Sequence, residues 1–237
     1  MIYVGIDDTD ILGSPGTNKL ARHLIERLRP DYANLVAIRH QLLFDPRVPY
    51  TSKNSSASLL FDVEDANGVL DLARRIRSLM LEWYVAGSDP GLCVTDCVPQ
   101  SVSDFGRRCQ KEVVSQQDAR QLAAESGIHL EGLGGTEDGV IGALAAVGLA
   151  AAGDDGRVVS IRHWPDDLSG PQDAGFLHHR GVAEIRCVET GRMITCGTVD
   201  VGKHLRPNFR CGKVVLFVAA SHAAGPSEVA WTAVRFT

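Results

Sequence analysis

The sequence predicts a mixed α/β fold, and three observations carry that prediction. Apolar runs of strand length alternate with amphipathic runs of helical period. Two glycine-bearing loops each open directly into a helix. Beyond residue 180 only strand-length runs and turns remain, which reads as a small β-rich C-terminal unit. Taken in order, Ile2-Tyr3-Val4-Gly5-Ile6 reads as a buried strand that ends in Asp7-Asp8-Thr9-Asp10. The loop Gly13-Ser14-Pro15-Gly16-Thr17 leads to a helix over Asn18–Arg29, with Leu20, Leu24, Ile25 and Leu28 on one face. Strands follow over Leu35–Phe44 and Ser56–Val63, separated by a loop holding Pro46 and Pro49. Ala66–Tyr84 is helical, with Val69, Leu72, Ile76, Leu79 and Met80 aligned. Leu92–Cys97 reads as a strand, Ser103–Val114 and Gln116–Ser126 as helices, and Ile128–Leu133 as a strand. The second loop, residues 132–139, opens a helix over residues 140–149. That helix is apolar all round and dense in small residues, so it should be buried with close backbone contacts. A strand over Arg157–His163 closes a first unit, residues 1–163. Residues 164–180, with Pro165, Asp166, Asp167, Gly170 and Pro171, read as a linker. Residues 181–237 form the β-rich unit, with strands over Ala183–Val188, Met193–Val199, Lys213–Ala220 and Ala230–Phe236.

The bulk numbers narrow the function. A chain of 237 residues with 44% hydrophobic and 22% charged content is that of an ordinary globular protein. The net charge of −5 argues against a global electrostatic grip on nucleic acid. No apolar run approaches the roughly 20 residues of a membrane span. The N-terminus enters a strand without a basic and apolar leader, so a cytoplasmic protein is expected. Of the six cysteines, Cys93 and Cys97 form a close pair and no second pair follows, which excludes the zinc-ribbon pattern. A site of Cys93, Cys97 and Cys109 completed by a histidine is the remaining metal arrangement, and reduced thiols are the default. No Ser/His/Asp or Cys/His arrangement stands out along the chain.

The chemistry concentrates where the first strand ends. Three acids within four positions repel one another unless a hard divalent cation shares their oxygens, and Mg²⁺ bridges such carboxylates to phosphates. Asp7, Asp8 and Asp10 are therefore the metal candidates. If the strand continued, Asp8 and Asp10 would share a face and Asp7 would be left to cap a turn. Ser14, Thr17 and Asn18 sit where a helix N-terminus presents free N–H groups to a phosphate, or where Thr17 serves as a plain N-cap. Lys53 and Asn54, with Thr51 and Ser52, lie on the loop between two strands; Lys53 is a phosphate partner or a solvated lysine, and Arg47 is similar. Gly134, Gly135 and Gly139 allow a backbone to approach a ligand closely, and Glu137 or Asp138 adds an oxygen ligand or caps the helix. The loop lacks the Lys-Ser/Thr ending of a Walker A motif.

Four blocks occur together and in order. They are Gly5-Ile6-Asp7-Asp8-Thr9-Asp10, residues 45–54, Ser88-Asp89-Pro90-Gly91-Leu92 and residues 139–148. The set resembles the archaeal isoleucine tRNA agmatinylcytidine synthetase family over about residues 1–163. The resemblance implies a kinase-like α/β domain that uses ATP and carries an inserted ferredoxin-like segment, placed at about residues 55–130. It implies that Asp7, Asp8 and Asp10 carry Mg²⁺–ATP, that Thr17 falls on a threonine which the family phosphorylates, and that Lys53 and Asn54 face the phosphates. In the family the domain activates a cytidine carbonyl by phosphorylation, and agmatine displaces the phosphate. The family's Met-Cys-Thr-Thr stretch reads Pro15-Gly16-Thr17-Asn18 here. The family's OB-fold and zinc ribbon, which hold tRNA, have no counterpart in the residue pattern of 181–237. An ATP- and Mg²⁺-dependent phosphotransferase or ligase-like enzyme is the expectation, with Asp8, Thr17 and Lys53 as its catalytic residues. Asp7, Asp10, Ser14, Asn54, Gly134, Gly135 and Gly139 would bind the cofactor. The substrate is a small molecule or an RNA, and a second copy of the chain or a partner subunit is a further partner to test. A nucleotide-binding regulatory module without turnover, and an RNA-modifying enzyme that borrows its RNA grip from a partner, are the rival readings.

Overall fold

The computed structural model describes residues 1–51, 53–63, 68–162, 164–165, 168–221 and 229–236. Its first ninety-five residues run β1 (Ile2–Asp7), α1 (Thr17–Leu28), β2 (Ala33–Gln41), β3 (Ser55–Asp62), α2 (Gly68–Glu82), β4 (Gly91–Thr95). These strands pair antiparallel in the order β4-β1-β3-β2. That is the βαββαβ arrangement of a ferredoxin-like unit. It begins at the first strand, upstream of the 55–130 expected for it. The reason is topological: β1, with its acidic end, is itself a central strand between β3 and β4.

The chain continues through α3 (Gln100–Cys109), α4 (Gln116–Glu125), β5 (His129–Gly132), α5 (Gly139–Ala152) and β6 (Arg157–Ile161). β5 extends the sheet beside β4 and β6 extends it beside β2. The sheet is covered on both faces. Leu20, Leu24, Leu28, Ile76 and Met80 of α1 and α2 pack on Ile2, Val4, Ile6 and Phe61. On the other face α5 lies across β1, β3 and β4, with α3 stacked outside it. This double burial explains why β1 shows no alternation and reads as a continuous apolar run.

The expected close packing of the small-residue helix is realised. A Cβ on Gly5 would overlap the carbonyl oxygen of Ala143, and one on Gly148 would overlap that of Val102. Glycine here removes the side chain that would hold β1, α5 and α3 apart. The predicted helix Ser103–Val114 ends at Cys109, because the Lys111 and Glu112 amides both turn back to the Arg108 carbonyl at 2.8 Å. Ser115 then caps α4 with a reciprocal bond to Asp118. Residues 110–114 are thus freed to form a loop.

Residues 164–180, expected as a linker, hold β7 (Trp164–Pro165), β8 (Pro171–Asp173) and α6 (Ala174–His179). Ala174 and Leu177 of α6 are fully buried with Val158 and Ile161 of β6. The C-terminal part adds β9 (Glu184–Cys187), β10 (Thr198–Asp200), β11 (Asn208–Arg210), β12 (Lys213–Ala220) and β13 (Val229–Ala233). Among the described residues these strands join the first sheet edge to edge through β11 against β6. Of the run Met193–Val199 only its end is strand; Gly197, at φ 96°, breaks the extension. His163, Asp166 and Asp167, and residues 66–67 of the predicted second helix, lie outside the described residues.

Candidate active site

A cavity of about 270 Å³ opens where β1 ends. Asp7, Asp8, Asp10, Thr17, Lys53, Asn54 and Gly139 all line it, and they come from four separate segments of the chain. β1 stops at Asp7, and Asp8 takes a left-handed backbone at φ 51°. The strand parity expected to exclude Asp7 therefore does not apply, and all three carboxylates reach the cavity. Asp8 is the strained member; left-handed backbone is uncommon outside glycine, and Asp and Asn tolerate it best.

The carboxylates differ in their surroundings. The Asp7 carboxylate packs under Gly142 of α5, where any Cβ would collide with it. Burial, then the charge of Asp8, pushes Asp7 up to about 8. Burial, then the charges of Asp89, Asp10 and Asp138, pushes Asp8 up to about 6. Among the described residues neither has an ion-pair partner, so this corner of the cavity carries uncompensated acid. Asp10 is held differently. Its Oδ1 accepts from the backbone N–H and from the hydroxyl of Thr17, each at 3.3 Å, and its Oδ2 accepts from Thr51 Oγ1 at 3.1 Å. Asp10 thereby caps α1, whose N-cap residue Gly16 offers no side chain. The Thr17 hydroxyl also accepts from Thr9 Oγ1 at 3.1 Å.

Lys53 lines the cavity from the loop between β2 and β3. Asn54 anchors that loop: its Nδ2 donates to the Leu43 carbonyl at 2.8 Å and its own carbonyl accepts from Gln41 and Leu42. Arg47 lines the cavity but donates through Nε and Nη2 to the two carboxylate oxygens of Asp45. Three predicted residues are not brought to the cavity wall. The Ser14 hydroxyl closes a turn on Ile11. Gly134 makes room for the ring of Tyr84, and Gly135 for Asp89, whose carboxylate accepts from the Thr136 amide. Their lack of side chain serves chain-to-chain contact rather than an approach to the cavity.

Residue-by-residue reading missed one wall. Glu112, Val113, Val114 and Ser115 of the α3–α4 loop and Gln116, the first residue of α4, line the cavity, as do Tyr50, Ile141 and Gly142. Gln116 also donates to Asp138 Oδ1 at 3.0 Å. The capping signature at Ser115 and Asp118 was the one available sign that a loop would interrupt the helices there. Cys93 is buried in β4, Cys109 in α3, and Cys97 is exposed. Burial pushes the Cys93 thiol far up and that of Cys109 up to about 12. Among the described residues no three His, Cys, Asp or Glu side chains form a ready-made metal cage.

The fold also assembles Ser58, His40 and Asp155 in hydrogen-bonded series, with His40 Nε2 2.8 Å from Ser58 Oγ and Nδ1 2.7 Å from Asp155 Oδ2. Ser58 and His40 are fully buried, so the series is a structural staple and not a nucleophilic site. Gln110 Nε2 donates both to Asp155 at 2.9 Å and to the Gln41 carbonyl at 3.1 Å, which ties α3, the end of β2 and the α5–β6 turn together behind the cavity. Burial alone would raise Asp155, but the bonds and charge of His40, with Gln110, hold it below its ordinary 3.8. A group so lowered stabilises the fold above that value, and the contribution is lost as pH falls below it. Asp155→Ala is expected to cost about 1–3 kcal/mol at pH 7 by leaving buried His40 Nδ1 without its partner and removing one of the two bonds of Gln110. Denaturant unfolding should show a smaller gap between variant and wild type at pH 3 than at pH 7.

No family model matches the chain. It is 25% identical over 186 residues to the tRNA(Ile2) 2-agmatinylcytidine synthetase TiaS of Cenarchaeum symbiosum (strain A), covering 73% of this chain and 41% of that protein. It is 29% identical over 152 residues to the TiaS of Archaeoglobus fulgidus, covering 62% of this chain and 35% of that one. The chain thus spans well under half the length of these curated relatives. The crystal structure of the TiaS–tRNA(Ile2)–ATP complex superposes with a TM-score of 0.55 at 26% identity, over 62% of this chain and 36% of that one. Among the described residues no helix is long and apolar enough to cross a membrane. By sequence and by structure alike, the chain is similar to the tRNA(Ile2) 2-agmatinylcytidine synthetases along part of their length.

Proposed function

We propose that the cavity at the end of β1 binds Mg²⁺·ATP and that the chain activates a substrate by phosphoryl transfer. The observation that carries this reading is the convergence of Asp7, Asp8, Asp10, Thr17, Lys53, Asn54 and Gly139 on one cavity. The donor set suits a hard cation: carboxylate oxygens, two of them pushed up by burial and mutual repulsion, with no described cationic partner. Mg²⁺ held by these three aspartates would supply charge neutralisation on the phosphates. Lys53 would offset negative charge on the transferred group, and the capped N-terminus of α1 would present Thr17. In this reading the Thr17 hydroxyl accepts the γ-phosphoryl group, its proton passes to Asp10 Oδ1, and ADP leaves. The acceptor downstream is an RNA cytidine or a small molecule with a comparable carbonyl, in keeping with the relatives' name. Residues 157–237 hold ten Lys and Arg against seven Asp and Glu, the reverse of the acidic first part, which supports RNA.

Calorimetric titration with ATP, with and without Mg²⁺, followed by separation of ADP from AMP, tests the proposal. The expected result is Mg²⁺-dependent binding and release of ADP. Binding without any turnover in the presence of RNA would instead favour a regulatory module, and no Mg²⁺-dependent binding would overturn the reading.

A further inference from the structure

The acidic corner accounts for only part of the cavity. Leu42, Val48, Pro49 and Ile141 add apolar lining, and Tyr50, which lines the cavity yet stays partly exposed, stands at its mouth. The Tyr50 ring is backed by that of Phe44, with centroids 4.5 Å apart and planes tilted by 40°. Both rings remain open to solvent, at 40% and 60% exposure. Aromatic side chains in pairs are worth burying, so a pair left exposed at a cavity mouth is a cost to the free protein. The same short loop carries Thr51, whose hydroxyl donates to Asp10 Oδ2 at 3.1 Å, and Lys53 on the cavity wall. An aromatic face, a cation and a carboxylate therefore lie within four consecutive residues and their first contact. Aromatic faces beside cations are how single nucleotides and unstacked bases are gripped: the cation takes phosphate and the ring takes the base, whatever its sequence. The flanking Asp45–Arg47 and Asn54–Leu43 bonds hold both ends of the loop, so the face is presented by a braced segment.

We infer that Tyr50, seated on Phe44, is a stacking platform for a nucleobase at the mouth of this cavity. The inference rests on the nucleotide reading of the site and extends it to the base. The base belongs either to the nucleoside triphosphate or to an unpaired nucleotide of an RNA substrate. Tyr50→Ala removes the face and Tyr50→Phe keeps it; position 50 is on an exposed loop, and thermal melts check that each variant folds. Three probes are titrated with Mg²⁺ present: ATP, inorganic tripolyphosphate, and a short single-stranded RNA of mixed sequence. If the base is that of ATP, Tyr50→Ala weakens ATP by about 5- to 100-fold, leaves tripolyphosphate unchanged, and Tyr50→Phe restores ATP binding. If the base is that of RNA, the same loss and rescue appear with the oligonucleotide and not with ATP. Equal binding of both ATP and RNA by wild type and Tyr50→Ala overturns the platform, as does an equal loss of tripolyphosphate and ATP. Failure of the wild type to bind either phosphate probe overturns the nucleotide reading itself, which separates the two failures.

Discussion

Asp8→Asn is expected to lower Mg²⁺-dependent ATP turnover by at least about a hundredfold, the scale on which removing one electrostatic contact to a transition state is felt. The substitution is chosen for its small structural reach. Asparagine tolerates the left-handed backbone that Asp8 adopts at φ 51°, and its side chain keeps the shape of the carboxylate. Only the charge is lost. In the absence of cation that loss relieves repulsion from Asp89, Asp10 and Asp138 and removes a carboxylate already pushed up to about 6. The variant should therefore melt no lower than the wild type without Mg²⁺ and gain less when Mg²⁺·ATP is added, because ligand stabilisation follows affinity. A merely structural role for Asp8 gives the opposite pair of results: a lower melting temperature and unchanged turnover per folded molecule.

Gly5→Val is the second large effect, and it acts on the fold. β1 and α5 approach so closely that even one methyl group on residue 5 would overlap the Ala143 carbonyl, with Val147 directly beside it. The strand cannot retreat, since β3 and β4 hold it from both sides through Ser58 and Cys93. Nor can α5 shift outward without running into α3, against which Gly106 and Gly148 already seat it closely. Overpacking of a site that cannot relax costs about 3 kcal/mol or more. Denaturant unfolding should show a midpoint shift of that size at unchanged slope. Because α5 also places Gly139 and Gly142 on the cavity, any folded fraction should bind Mg²⁺·ATP poorly.

The elements that carry the site were legible because their signals are local. Leu20, Leu24, Ile25 and Leu28 recur at helical spacing and are the buried face of α1. The apolar β1 run reports burial on both sides, and the small-residue run of α5 reports close contact. Asp7, Asp8, Asp10, Thr17, Lys53, Asn54 and Gly139 stood out by residue type and by family resemblance, and they line one cavity. Other features had no local signal. Gly134 and Gly135 look like ligand-facing glycines until Tyr84 and Asp89 are seen against them. Ser58, His40 and Asp155 are separated by up to 115 positions, and nothing in their neighbourhoods announces a shared bond. The polar, Pro- and Gly-bearing composition of 164–180 reads as a linker, yet its Ala174 and Leu177 complete a core whose other members include residues of β2, β6, β9 and β12.

The sequence by itself determined which segments become strands and helices, where β1 ends in acid, and which residue types are available for phosphate chemistry. These follow from periods of two and 3.6 and from charge spacing, which neighbouring residues settle among themselves. Tertiary structure alone decided that the ferredoxin-like order starts at β1, that the α3–α4 loop closes the cavity, and that Asp7 joins the other two carboxylates. Those outcomes depend on which strand pairs with which and on how nearly α5 can approach the sheet. Such choices are made between residues far apart in the chain, where no local pattern records them.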